Sequence, residues 1–207
     1  VELAEFLEAV RRGWKVLVAF VLTGAVVGGA LAALTPEVYQ STSRVFVSVP
    51  GATDVRSLTD SSTYATQQAP VFAQLVLSDV VLEDVAAAVG DGTTPGGLRP
   101  RVSAAAVEAG PIIEIQARAG SGEEAALVTE STVDALVTAV QQVVGGGPTA
   151  PGVELTVIQP AQVPSAPVSP SMSLNVLLGV LVGLVLGLLV VVAMSVRAPA
   201  RRAAAVR

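Results

Sequence analysis

The chain has 207 residues, 52% of them hydrophobic and only 14% charged, with a net charge of −5. It contains no Cys and no His, which removes disulfides, thiolate metal sites, His-based catalytic arrangements and the HExxH zinc motif. Its one Lys is Lys15, so a phosphate loop ending in Gly-Lys-Ser or Gly-Lys-Thr is absent, and no cofactor, metal or nucleic-acid partner is expected.

At the start, Leu3, Phe6, Leu7 and Val10 recur at helical spacing while Glu2, Glu5 and Glu8 share another face. Residues 1–13 therefore read as an amphipathic segment on the inner membrane surface, with a solvated helical tail as the alternative. Trp14 and Lys15 follow, an aromatic ring and a snorkelling ammonium suited to the interface.

Val16–Leu34 and Val176–Val196 are both uncharged and apolar. A helix rises about 1.5 Å per residue and the hydrocarbon core is roughly 30 Å thick, so each run is long enough to cross it. The second run holds fifteen Leu or Val residues and no charge. Each of these contributes roughly −0.3 to −0.6 kcal/mol to insertion, against about +2.5 to +3.5 kcal/mol for one central charge. The spans are placed at residues 14–34 and 174–196. A cleaved signal peptide, with Ala30-Leu31-Ala32 as its cleavage site, is the rival reading of the first, but its apolar core exceeds the usual length.

Arg11, Arg12 and Lys15 precede the first span, and Arg197, Arg201, Arg202 and Arg207 follow the second. Basic residues beside spans stay on the cytoplasmic side, so both termini are expected there, with residues 35–159 outside and 197–207 as a basic cytoplasmic tail. Between the spans, five Arg face fourteen Asp or Glu. The outer module is thus acidic and both ends are basic.

The outer module opens with Tyr39 to Val49, a strand by its alternation, closed by Pro50-Gly51. A polar stretch, Ala52 to Ser62, leads into a helical segment carrying Tyr64, Phe72, Leu75 and Val76, with a kink or restart expected at Pro70. Ser78 reads as the N-cap of a second helix that stops at Gly90. Near its start, Asp79, Glu83 and Asp84 read as dipole-complementing charges rather than a cation site. Arg101 to Val107 and Ile112 to Arg118 look like a hairpin. Ser121 and Glu124 match a capping box, followed by an apolar stripe of Val133, Val137, Val140 and Val144, with Glu123, Glu130, Asp134 and Gln141 on the other side. Gly145 to Pro148 ends that helix, and Val153 to Ile158 is a last strand. This order is the βαββαβ arrangement of ferredoxin-like α+β domains, a four-stranded sheet with helices on one face.

Residues 160–173 form a proline-rich connector in which Pro164, Pro167 and Pro170 recur every three residues. Three residues make one turn of a polyproline II helix, so an extended, semi-rigid tether is expected. In the second span Gly179, Gly183 and Gly187 make consecutive GxxxG steps, and Gly24 and Gly28 have the same spacing in the first. Such faces favour close helix approach, within one subunit or between neighbours.

These features resemble the Wzz or chain-length-determinant family, the polysaccharide co-polymerases, including the transmembrane adaptors of Gram-positive capsule systems. The likeness rests on ELAEFLEAVRRGW, YQSTSRVFVSV, SDVVLEDVAAAVG, PIIEIQA and above all PSAPVSPSMSLNVLLGVLVGLVLG. The resemblance implies structural roles for Pro164, Pro167, Pro170, Asn175, Gly179 and Gly183, and no catalytic residue. It also implies a plasma-membrane protein that assembles into a ring-shaped homo-oligomer and regulates the length of a surface polysaccharide made by a separate membrane glycan polymerase. Some members activate a cytoplasmic tyrosine autokinase, and Arg197, Arg201 and Arg202 are the residues suited to such a contact. A glycan-acting enzyme using paired carboxylates, Asp79 with Glu83 or Glu114 with another acid, is the remote alternative. The short outer module departs from larger members in having no room for a long helical arm.

Overall fold

The computed structural model describes the chain except for residues 1–2, 51–53, 91, 108–109, 145–151 and 205–207. Two compact units result, one from Val1–Pro36 with Pro170–Arg207 and the other from Glu37–Ser169.

The first unit is a pair of long helices, α1 (Leu3–Leu34) and α6 (Met172–Ala204). Within them Gly13–Leu34 and Met172–Met194 have the length and apolar composition to cross a membrane. α1 runs unbroken from Leu3, so the amphipathic stretch and the first span are one helix; the side chains of Leu3, Phe6, Leu7 and Val10 lie outside the described residues. α6 likewise continues past Val196, carrying the backbone of Arg197, Arg201 and Arg202, whose side chains, with the whole of Arg207, lie outside the description.

The second unit is a mixed helix and sheet domain in the order β1 (Tyr39–Ser48), α2 (Val55–Leu75), α3 (Asp79–Val89), α4 (Pro95–Leu98), β2 (Val102–Val107), β3 (Ile112–Ala119), α5 (Gly122–Val144) and β4 (Glu154–Gln159). The four strands form one sheet in the order β2-β3-β1-β4, and every neighbouring pair is antiparallel. Alternation along the strands sorts the two faces. Val45 and Val47 of β1 and Ile113, Ile115 and Ala117 of β3 are buried with Phe72 of α2, Leu82 and Val85 of α3, and Leu136 and Val140 of α5. The opposite face bears Gln40, Thr42, Arg44 and Phe46 of β1 across from Arg118, Gln116, Glu114 and Ile112 of β3. Antiparallel sheets tolerate one such polar face.

Local signals account for most element ends. Ser78 caps α3 and Gly90 stops it at φ 74, a left-handed position that costs glycine nothing. α2 begins at Val55, well inside the stretch expected to be loop. There Asp54 accepts from the Ser57 amide at 2.8 Å while the Ser57 hydroxyl accepts from the Asp54 amide at 3.1 Å, a reciprocal cap. Those bonds hold the Asp54 carboxyl below its ordinary range, the Ser57 amide contributing most. Nor does Pro70 divide α2. Pro70 lies on the exposed side of the helix, where solvent can take the Thr66 carbonyl that loses its partner.

One further expectation is corrected, and one short helix is added to those expected. Ser121 does cap α5, accepting from the Glu124 amide at 3.2 Å, but the Glu124 carboxylate pairs with Arg101 instead of reaching back to Ser121. α4 is a single turn with no periodicity to betray it. Thr94 caps it, Pro95 opens it, and Leu98 plugs the core with no exposed surface. The turn residues Glu108 and Ala109 and the stretch Gly145 to Pro148 lie outside the described residues, as does the Val144 side chain.

Candidate functional site

The proline-rich segment leaves β4 at Gln159 and does not hang free. Ser41 and Ser43 stand on the core side of β1, each 1% exposed. The Ser43 hydroxyl donates to the Gln159 carbonyl at 2.8 Å and the Ser41 hydroxyl to the Gln162 carbonyl, also at 2.8 Å. Further on, the Val38 amide donates to the Ser169 carbonyl and the Val168 amide to the Val38 carbonyl, both at 2.8 Å. A proline-rich extended chain makes no internal hydrogen bonds, so its carbonyls are available to exactly such donors on a neighbouring strand.

Between these anchors the segment crosses the start of α5. A Cβ built on Gly122 would lie 2.7 Å from the Pro164 carbonyl oxygen and 3.3 Å from Val163 Cγ1. Any larger residue at position 122 must therefore displace the segment. Its path is bent at Ser165, Ala166, Val168 and Pro170 rather than following a straight threefold helix. Pro164 and Pro170 are half-buried and Pro167 is exposed. The tether is thus a strap whose course is set by Ser41, Ser43, Val38 and Gly122, with its first and last anchors on one strand and the residues leading into it.

In the helical unit the glycines meet. Gly24 packs on Gly179 and Gly183, Gly28 on Asn175 and Gly179, and Gly187 on Leu17 and Phe20. These partners run in opposite directions, so α1 and α6 are antiparallel. A Cβ on Gly24 would fall on the Gly179 carbonyl oxygen, one on Gly179 on the Gly24 carbonyl oxygen, and one on Gly183 on the Phe20 carbonyl oxygen. Contact this close lets Cα–H groups face carbonyls across the pair, the usual benefit of a small-residue face in lipid. At the head of α6 the Asn175 side chain donates to the Ser171 carbonyl at 3.1 Å, while the Asn175 backbone carbonyl faces Gly28. Outward, Val26, Leu31, Leu181 and Val185 are all more than half exposed or close to it, an apolar surface suited to lipid.

Two of the carboxylates considered for chemistry are engaged elsewhere. Asp79 pairs with Arg99 at 2.7 Å and Glu114 with Arg44 at 2.8 Å. The Arg44 hydrogen bond, seconded by Gln116, holds the Glu114 carboxyl below its ordinary range, opposite to the upward shift that a general acid needs at neutral pH. The structure brings together Gly179, Gly183, Gly187 and Asn175 on the first helix, and Pro164 on Gly122. It brings no pair of acids into a shared cleft among the described residues.

The chain's opening residues are similar to a known family. Residues 1–89 match the Wzz family, chain length determinant protein. The Wzz match takes in α1, β1, α2 and α3, and so ends before the strap and α6. No curated protein matches the chain. Sequence reasoning missed Ser41, Ser43 and Gly122 altogether. The signal for the serines is two small hydroxyl residues at alternate positions on the buried face of a strand, where aliphatic residues are the rule.

Proposed function

We infer that the chain is a non-enzymatic membrane regulator of surface or capsular polysaccharide chain length, working beside a separate glycan polymerase. The observation that carries this reading is the Wzz match over residues 1–89 on a chain whose two membrane-length helices flank one α/β module. A ferredoxin-like reading of that module is supported by its βαββαβ order and by the antiparallel arrangement β2-β3-β1-β4. The antiparallel pairing of α1 and α6 supports a hairpin through the plasma membrane, with both basic ends cytoplasmic and residues 37–169 outside.

Regulation in this reading is mechanical. Modules associate side by side as a homo-oligomer that closes into a ring, and the strap links each module to its second span. Removing residues 164–170 should change the polymer's length distribution on a gel at unaltered expression; unchanged lengths would remove the strap from the mechanism. A second role, as adaptor for a cytoplasmic tyrosine autokinase, is favoured by one observation. The backbone helix of α6 continues to Ala204, through positions 197, 201 and 202.

A further inference from the structure

The contacts that fix the register of α1 and α6 lie short of where the two helices end. Gly28 meets Asn175, Gly24 meets Gly179, Leu17 meets Gly187 and Gly13 meets Val191, an antiparallel register that holds as far as Gly13. Beyond that contact α1 runs back to Leu3 and α6 runs forward to Ala204. Carried on at the same register, position 10 comes level with 193 and 194, position 6 with 197 and 198, and position 3 with 200 and 201.

Two observations indicate what this stretch of α1 packs on. The first is phase. At about 100° per residue, positions 3, 6 and 10 share a sector about 100° wide with positions 13, 17, 20, 24 and 28, which meet α6. Leu3, Phe6 and Val10 occupy those three positions, while Glu5 and Glu8 fall outside the sector. A stripe lying flat on a membrane surface would need a sharp turn between itself and the span, and such turns in helices arise chiefly at Pro. α1 contains no Pro and is unbroken.

The second is charge. Glu5 and Glu8 are the charged residues from Leu3 to Val10, and Arg197, Arg201 and Arg202 are those from Arg197 to Ala204. The register brings this acidic end of α1 level with the basic end of α6, a complementary arrangement. Ser195 and Ala198, one and two turns past Val191, put small residues next on the α6 row that begins at Asn175, as close helix approach requires.

We propose that positions 3, 6 and 10 of α1 dock on positions 195 to 202 of α6, extending the helix pair into a two-helix stalk instead of lying along the membrane surface. On the topology inferred above, which it needs only for the side of the membrane, a cytoplasmic partner meets positions 197, 201 and 202 within this stalk and not on a free tail.

The chain has no Cys, which makes the test direct. Full-length chains in isolated membranes, each carrying one cysteine pair, are oxidised with copper phenanthroline, and the remaining thiols are read by the gel shift of a maleimide polymer. Gly29→Cys with Val176→Cys is the positive control, since a Cβ on residue 29 lies 3.6 Å from Val176 Cγ2. Phe6→Cys with Ala198→Cys should close within one chain about tenfold more fully than Glu8→Cys with Ala198→Cys, because a disulfide needs Cβ atoms roughly 3.5 to 4.5 Å apart. Equal closure of those two pairs overturns the proposal, as does a closed control beside an open pair at positions 6 and 198. Closure as a disulfide-linked dimer overturns it too, because the docking partner is then a second copy. An open control overturns the helix packing from which the register is taken, and the proposal with it. Closure reads the same on either side of the membrane, so failure here leaves the inferred topology standing.

Discussion

At the scale of single residues, the decisive positions are those where a side chain would have nowhere to go. A Cβ at Gly179 points onto the Gly24 carbonyl, whereas one at Gly29 meets Val176 Cγ2 at 3.6 Å, ordinary contact. Gly179→Val should therefore destabilise the detergent-solubilised chain by about 1 to 3 kcal/mol, the range for overpacking, while Gly29→Ala leaves the thermal midpoint unchanged. Equal midpoints for both variants would mean that α1 and α6 do not pack through this face. Glu114 gives a prediction with a sign. Arg44 lowers its folded carboxyl below the ordinary value of 4.5, so its contribution is present above that pH and is lost as pH falls through the lowered folded value. Denaturant unfolding should find Glu114→Gln less stable than the parent at pH 7, and the two should converge in acid. A gap that persists unchanged in acid would remove the charge as its cause.

At the scale of elements, the strap shows how a segment without regular structure is held in place. Its anchors are four hydrogen bonds, two to β1 and two to Val38 just before it, each worth about 0.5 to 1.5 kcal/mol net, plus the close fit of Pro164 against Gly122. Gly122→Val should displace it while sparing the sheet. Limited proteolysis would then cut within residues 160–169 faster than in the parent, with far-UV circular dichroism preserved. Cleavage at the parent rate would mean that Gly122 does not govern the strap's course. Threonines 129 and 132 make the complementary point inside α5. Buried with no exposed surface, they return their hydroxyls to the Ala125 and Val128 carbonyls at 2.8 and 2.6 Å, so polar residues enter the core without an orphaned group.

At the scale of the whole molecule, charge and hydropathy divide the chain into regions with different surroundings. Two apolar helices carry basic residues at their far ends, and the intervening module holds fourteen acids against five Arg. A membrane-impermeant maleimide should therefore label Ser103→Cys, exposed on β2, in intact cells, and the absence of native Cys keeps the background clean. Labelling only after lysis would place the module in the cytosol and end the proposed role in surface glycan assembly.

Much of this architecture follows from local pattern. The spans announce themselves as uncharged runs, the β1 core face as Val45 and Val47 in alternation, α3 through Ser78 and Gly90, and α5 through its apolar stripe. The start of α2 was also within reach, since Asp54 and Ser57 are spaced for a reciprocal cap. What only the folded chain decides is the choice of partner. GxxxG spacing indicates a face for close packing but not whose backbone fills it, and the answer, the other helix of the same chain, depends on an antiparallel register set 155 residues apart between Gly24 and Gly179. Likewise Glu124 takes Arg101 over the nearby Ser121 amide, and the proline strap follows Ser41 and Gly122 rather than its own threefold repeat. Periodicity is a property of neighbours along the chain, whereas hydrogen-bond and packing partners are selected by distance in space after the sheet and the helix pair have formed.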